Sequence, residues 1–216
     1  MTILATLFSS PLSARYFSLL IGTLTACSFS APAISAGDPA AITFLERLSV
    51  DVSASPVLTV CHGFGCAYRD QLFLTPAKIS YLRGLLQATR SASEERKTIA
   101  RIVSWFDREG GRVAGTAGRI AYAGVGTKSG PSQMDCIDLT ANITELLIML
   151  DRARLLKYHR VGEPVSRGLI LDGRQPHTTP VIIEIANGAR WSVDSWTRAY
   201  GQSPEIMTIT EWQSRK

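Results

Sequence analysis

Gly130-Pro-Ser-Gln-Met-Asp-Cys136-Ile-Asp-Leu-Thr-Ala-Asn-Ile-Thr-Glu-Leu-Leu-Ile-Met-Leu150 is the stretch on which the fold turns. A Gly/Pro/Ser loop runs into Asp135, a good helix N-cap residue. From Cys136 onward apolar side chains recur three and four apart, at Leu139, Ile143, Leu146, Leu147 and Leu150. This periodicity predicts a long helix over 135–156, with Arg152, Arg154 and Lys157 near the C-terminal end of its dipole. Cys136 falls in the first turn. A thiol there meets free N–H groups and the positive end of the helix, which favour thiolate, and its own N–H is free to bind a developing oxyanion. The alternative is an inert cysteine heading the apolar stripe.

Downstream, Arg167 to Leu171, Thr178 to Ala186 and Ala189 to Asp194 read as strands, with Asn187-Gly188 as a two-residue hairpin turn. His177 enters the second strand and Asp194 leaves the third. A nucleophile heading a helix, a base on one strand and an orienting acid on its neighbour form the general thiol-enzyme arrangement. A two-residue turn would put Val181 opposite Asp194, leaving His177 four residues away, roughly 13 Å along the strand. A bulge at Pro180 or a wider hairpin loop would close that gap. Upstream, Ala40–Leu48, a helix from Thr75-Pro76, and another from Ser93-Glu-Glu ending at Gly110-Gly111 precede the long helix. Strands are expected at 56–60 and 67–74, and a brief one at 119–123 inside a Gly-rich segment, 110–130, that suits a cleft wall. The expected class is α+β: a long helix headed by Cys136 on an antiparallel sheet, with extra helices N-terminal.

The stretch from about Gln133 to Trp196 resembles the transglutaminase-like branch of the papain-type thiol enzymes. The resemblance rests on Met134-Asp-Cys-Ile-Asp-Leu-Thr-Ala141, on His177-Thr-Thr-Pro-Val-Ile-Ile-Glu184 and on Trp191-Ser-Val-Asp194. It implies a papain-like core and a Cys136, His177, Asp194 triad in that order. The sequence departs from the family at Thr179, where an aromatic residue is common two positions after the histidine. Gln133 is an oxyanion-hole candidate through its amide donors. Asp135 reads most simply as the helix cap, Asp138 as a first-turn acid or a substrate contact, and Glu184 as solvated. Trp191 and Trp196 are available to wall a cleft or fill the core.

The N-terminus has a different character. Arg15 is followed by the short apolar run Tyr16 to Thr25, the shape of an export signal and too short to span a bilayer. Leu24-Thr-Ala-Cys27 resembles a lipobox, making Cys27 a lipidation candidate, while Ala33-Ile-Ser-Ala36 resembles an ordinary cleavage site. The expected organisation is a leader over 1–36 and one domain over 37–216, in the periplasm or cell envelope. In an oxidising compartment Cys61 and Cys66, separated by His-Gly-Phe-Gly, are candidates for a local disulfide; a zinc site with His62 or a redox pair fits the spacing less well.

The chain has 216 residues, 45% of them apolar and 19% charged, and a net charge of +5. That composition supports a real core and excludes wholesale disorder. Lys and Arg are scattered rather than clustered, which argues against a nucleic-acid partner. No cofactor or metal is expected. The expected function is an exported thiol hydrolase or acyltransferase acting on an amide or ester through a Cys136 thioester. A protein or peptide, including a cell-wall peptide, would be the substrate, with the membrane as a further partner if Cys27 is lipidated. The alternative is an inactive envelope module of the same fold that binds a protein or peptidoglycan peptide.

Overall fold

A computed structural model of the chain describes residues 38–52, 56–124, 130–168 and 176–215, all within the unit Ile34–Lys216. The leader with Cys27 and the end of the strand expected at 167–171 lie outside these residues. The architecture is α+β, with five helices and two antiparallel sheets among the described residues. In chain order the elements are α1 (Pro39–Arg47), β1 (Val57–His62), β2 (Tyr68–Phe73), α2 (Pro76–Gln87), α3 (Ala92–Ala114) and α4 (Cys136–Arg152). Then follow β3 (His159–Arg167), β4 (His177–Glu184), β5 (Arg190–Asp194), β6 (Glu205–Thr208) and α5 (Ile209–Ser214). No described helix is long and apolar enough to cross a membrane.

Helix α4, headed by Cys136, lies between the two sheets, packed on β3 and β4 on one side and on β1 on the other. Leu139, Ile143, Leu146, Leu147 and Leu150 are all buried, so the apolar stripe faces the core as its spacing demands. A second, polar stripe at Asp138, Asn142 and Glu145 is buried as well. These three side chains pair the backbone of β1 and the turn after it. Asn142 accepts from Cys61 N–H at 2.6 Å and donates to Cys61 carbonyl at 2.9 Å, while Glu145 accepts from Thr59 N–H at 2.9 Å. Side chains of α4 thus do for β1 what a further strand would do, leaving those backbone groups satisfied.

Several sequence expectations shift. Helix α3 is capped by Ser91 and runs through Gly110-Gly111 to Ala114, where Gly115 takes the left-handed conformation at φ 68°. The two glycines are there for close approach: a Cβ on Gly111 would overlap the Tyr200 ring, and one on Gly110 would press on Val60. Residues 119–123 hold a turn at 121–122 and no strand. Of the strand expected over 167–171, Arg167 is the last residue of β3, which begins at His159, and the positions after 168 lie outside the described residues. Gly162, Glu163 and Pro164 hide its alternation, and the β3–β4 register shifts between Gly162 and Val165.

The β4–β5 hairpin decides the site. Its register pairs Val181 with Ser192 and Ile182 with Trp191, and Glu184 N–H bonds Ala189 carbonyl at 2.8 Å. The loop is therefore the four residues 185–188, not Asn187-Gly188 alone, with Gly188 at φ 73°. The wider loop slides β5 by two residues. Continuing that register sets Asp194 opposite Thr179, one diagonal step from His177, a spacing that side chains bridge.

Candidate functional site

His177 Nε2 and Asp194 Oδ2 are 2.6 Å apart and both side chains are 2% exposed. Asp194 gathers three donors: His177, the Trp212 indole N–H at 2.8 Å on the same oxygen, and the Trp196 backbone N–H at 3.0 Å on the other. Burial alone would raise the Asp194 carboxyl, but these hydrogen bonds, His177 first, hold it below its ordinary value. An ionised carboxylate only accepts, so in the neutral imidazole the proton sits on Nε2 and Nδ1 carries the lone pair. Nδ1 is buried without a hydrogen-bond partner. The imidazole packs against two indoles, Trp196 at 4.3 Å and Trp212 at 5.3 Å between ring centroids.

Cys136 is the free cysteine among the described residues and is partly buried at the first position of α4. Its Sγ lies 3.9 Å from the carbonyl of Pro176, the residue before His177. Four residues on, Thr140 hydroxyl donates to Thr178 carbonyl at 2.9 Å, fastening the same helix face to the residue after His177. Cys136 and His177 therefore come from elements bonded to each other at this point. Against the pull expected from the helix N-terminus, burial, with the charges of Asp135 and Asp194, pushes the thiol up to about 11. The N–H groups of Thr178 and Cys136 itself oppose this without reversing it. The resting group is a thiol, and any nucleophile has to be made by a base at the moment of attack.

The start of α4 is braced from the side. Asp135 caps the helix and forms a reciprocal capping box with Asp138. Cys61 and Cys66 form a disulfide. Between and including its ends, Gly63, Phe64, Gly65 and Cys66 all have positive φ. This left-handed turn sends four successive N–H groups to the segment before and inside α4. Gly63 bonds Gln133 carbonyl, Phe64 and Cys66 bond the two oxygens of Asp138, and Gly65 bonds Asp135. Burial, with the Asp135 charge beside it, pushes the Asp138 carboxyl up to about 7 against the pull of these donors. Asp138 is fully buried, so it braces the loop rather than meeting a substrate. Phe64 and Cys66 are strained in this conformation, at about 1–2 kcal/mol each, and the disulfide closes the turn that holds them.

Gln133 turns its amide onto a neighbouring loop, accepting from Ile120 N–H at 3.1 Å and donating to Gly118 carbonyl at 3.4 Å. One amide hydrogen remains for other use. Glu184, expected in solvent, instead pairs with Arg96 at 2.7 Å, and that guanidinium lies 3.8 Å above the Trp191 ring. Of the two tryptophans singled out from the sequence, Trp196 packs on His177, while Trp191 lies under the Arg96 guanidinium. The sequence reading passed over Trp212 altogether. It is fully buried, stands on the short helix α5, and lies under the Arg167 guanidinium, which also donates to its carbonyl. Its one legible signal was a lone tryptophan in a polar C-terminal segment. His62 bonds Pro131 carbonyl and Asp70, and the described residues contain no group of side chains set to hold a metal ion. Comparison of the chain with protein-family models, curated proteins and solved structures finds no match.

Proposed function

We propose that this chain is an exported thiol hydrolase or acyltransferase with a transglutaminase-like, papain-type core. The observation that carries the reading is the His177–Asp194 pair at 2.6 Å, whose second ring nitrogen is buried without a partner, on a strand whose preceding residue, Pro176, meets the free Cys136 Sγ at 3.9 Å. His177 Nδ1 takes the Cys136 proton as sulfur attacks the carbonyl carbon of an amide or ester. Asp194 holds the imidazole tautomer and offsets the charge that the ring gains. The oxyanion of the tetrahedral intermediate is met by the Cys136 N–H, which has no helical acceptor at this position, with the spare Gln133 amide hydrogen as a second donor. Collapse forms the thioester and expels the amine or alcohol, which takes the proton from His177. Water or an acceptor amine then attacks the thioester, with His177 again removing the proton, to give hydrolysis or transfer. The raised thiol supports a general-base route over a standing thiolate–imidazolium pair.

A protein or peptide, including a cell-wall peptide, is the substrate class this chemistry suits, and an export leader over 1–36 would send it to the envelope, anchored to a membrane if Cys27 is lipidated. Labelling of the purified protein with iodoacetamide followed by site mapping tests the nucleophile. Cys136→Ala is expected to abolish labelling, whereas Cys61→Ala combined with Cys66→Ala retains it at Cys136. Labelling that is unaffected by Cys136→Ala would remove the thiol-enzyme reading and leave the binding module.

A further inference from the structure

Residues 118–123 form a ledge that joins the two halves of the site. On one side Gln133, three residues before Cys136, bonds Gly118 carbonyl and Ile120 N–H. On the other, Tyr122 N–H bonds Trp196 carbonyl at 2.8 Å and the Trp196 indole bonds Ala123 carbonyl at 2.7 Å. The ledge is anchored from beneath by Arg119, which is 2% exposed. Arg119 grips both oxygens of Asp107 and donates to Arg198 carbonyl, while its own carbonyl accepts from Tyr200. Such a mount fixes the backbone without using the side chains of Ile120 and Tyr122. Those two stand out, 51% and 60% exposed, two large apolar groups a residue apart. Tyr122 holds φ 58°, a conformation that costs a bulky residue strain and that glycine would take freely. Its ring meets Trp196 edge-on at 5.2 Å, and Trp196 in turn covers His177.

Folding alone does not explain this choice of residues. The fold needs the backbone of the ledge, and glycine or a small polar residue at position 122 would supply it more cheaply. We infer that Ile120 and Tyr122, with the edge of Trp196, form a substrate subsite for a large apolar or aromatic side chain of a peptide bound across Cys136. The inference rests on the thiol-enzyme reading for where the peptide lies, and its recognition half is tested without chemistry. An apolar side chain laid on the ledge covers surface that water now meets, and the neighbouring Trp196 passes that contact directly to the ring of the base.

The experiment measures calorimetric binding of short capped peptides that carry Phe, Leu, Gly or Asp at each position in turn, using the full chain with Cys136→Ala. At one position Phe and Leu peptides are expected to bind roughly tenfold or more tighter than Gly or Asp peptides, the discrimination an apolar pocket supplies. Tyr122→Gly and Ile120→Ala are each expected to remove most of that preference. Tyr122→Gly relieves the positive φ, so its melting temperature should stay within a few degrees of the parent, separating lost recognition from lost folding. Equal binding of all four peptides, or a preference that survives both substitutions, overturns the subsite. Iodoacetamide labelling of Cys136 in the unsubstituted chain reads the nucleophile separately, so failure of the subsite and failure of the thiol chemistry give different results.

Discussion

At the scale of single residues, Asp194 and Trp212 show how a weak local signal becomes a defined geometry. Asp194 serves His177 only because two other donors fix its carboxylate in place. Trp212→Phe keeps an aromatic ring beside His177 and under Arg167 while deleting one of those donors. The chain should lose about 1.5–3 kcal/mol of stability, the range for a hydrogen bond to a charged group. A carboxylate with one donor fewer is held less firmly against His177, so the rate of Cys136 labelling at pH 7.5 should fall several-fold. A lower stability with an unchanged labelling rate would make Trp212 a packing residue and nothing more. Cys136, His177 and Asp194 were each legible in the chain by residue type and order. Trp212 was not, because its role arises from a tertiary contact between α5 and β5 that no spacing encodes.

Helix α4 is the element on which both the fold and the site depend. Its apolar stripe was plain from the sequence, and its first turn begins where the Asp135 cap predicts. Its buried polar stripe was not legible: Asp138 reads as a first-turn acid or a substrate contact, and the spacing of Asn142 and Glu145 does not show that β1 lies against them. Glu145 shows what that burial costs. Burial, aided by the Asp51 charge, pushes its carboxyl up to about 8 against the pull of Thr59. A carboxyl raised on folding contributes most stability below its unfolded value near 4.5. That contribution is lost as pH rises through the folded value. Asp138 acts in the same direction with a folded value of about 7. Urea titrations should therefore show stability falling from about pH 5 to pH 8. Glu145→Gln keeps an acceptor for Thr59 N–H and removes the charge. It should flatten much of that slope and leave the variant more stable above pH 8 by on the order of 1 kcal/mol or more. A variant with the full parental slope would show that Glu145 is ionised at little cost. The strands were read less well than the helices. β6 has four residues and α5 six, too short to display a period. The hairpin register was missed because the Asn-Gly signal fixes a turn but not how many residues lie between the paired strands.

Across the whole molecule, the account joins parts that are distant in sequence. The disulfide loop braces the helix that carries Cys136, the ledge ties Gln133 to Trp196, and α5 returns to close the His–Asp pair. Each brings a hydrogen-bonding group to a polar partner from a distant part of the chain. Replacing Cys61 and Cys66 together by alanine should cost about 2 kcal/mol from the short loop they close. It also frees the left-handed turn that holds the N-terminus of α4, so Cys136 labelling should slow several-fold. An unchanged labelling rate would confine the disulfide to stability. The class of the fold followed from the order of elements, but the site depended on one hairpin loop being two residues wider than its strongest turn signal. The central claim is that buried His177 is the base for a Cys136 thiol that burial pushes up to about 11. The direct measurement is the rate of Cys136 alkylation from pH 5 to 10 in the parent chain and in His177→Ala. The account predicts a parental rate at pH 7.5 on the order of a hundredfold above the variant, the usual contribution of a positioned base. It also predicts that the variant becomes reactive only as the thiol itself ionises. Superimposable profiles for the two proteins would contradict it.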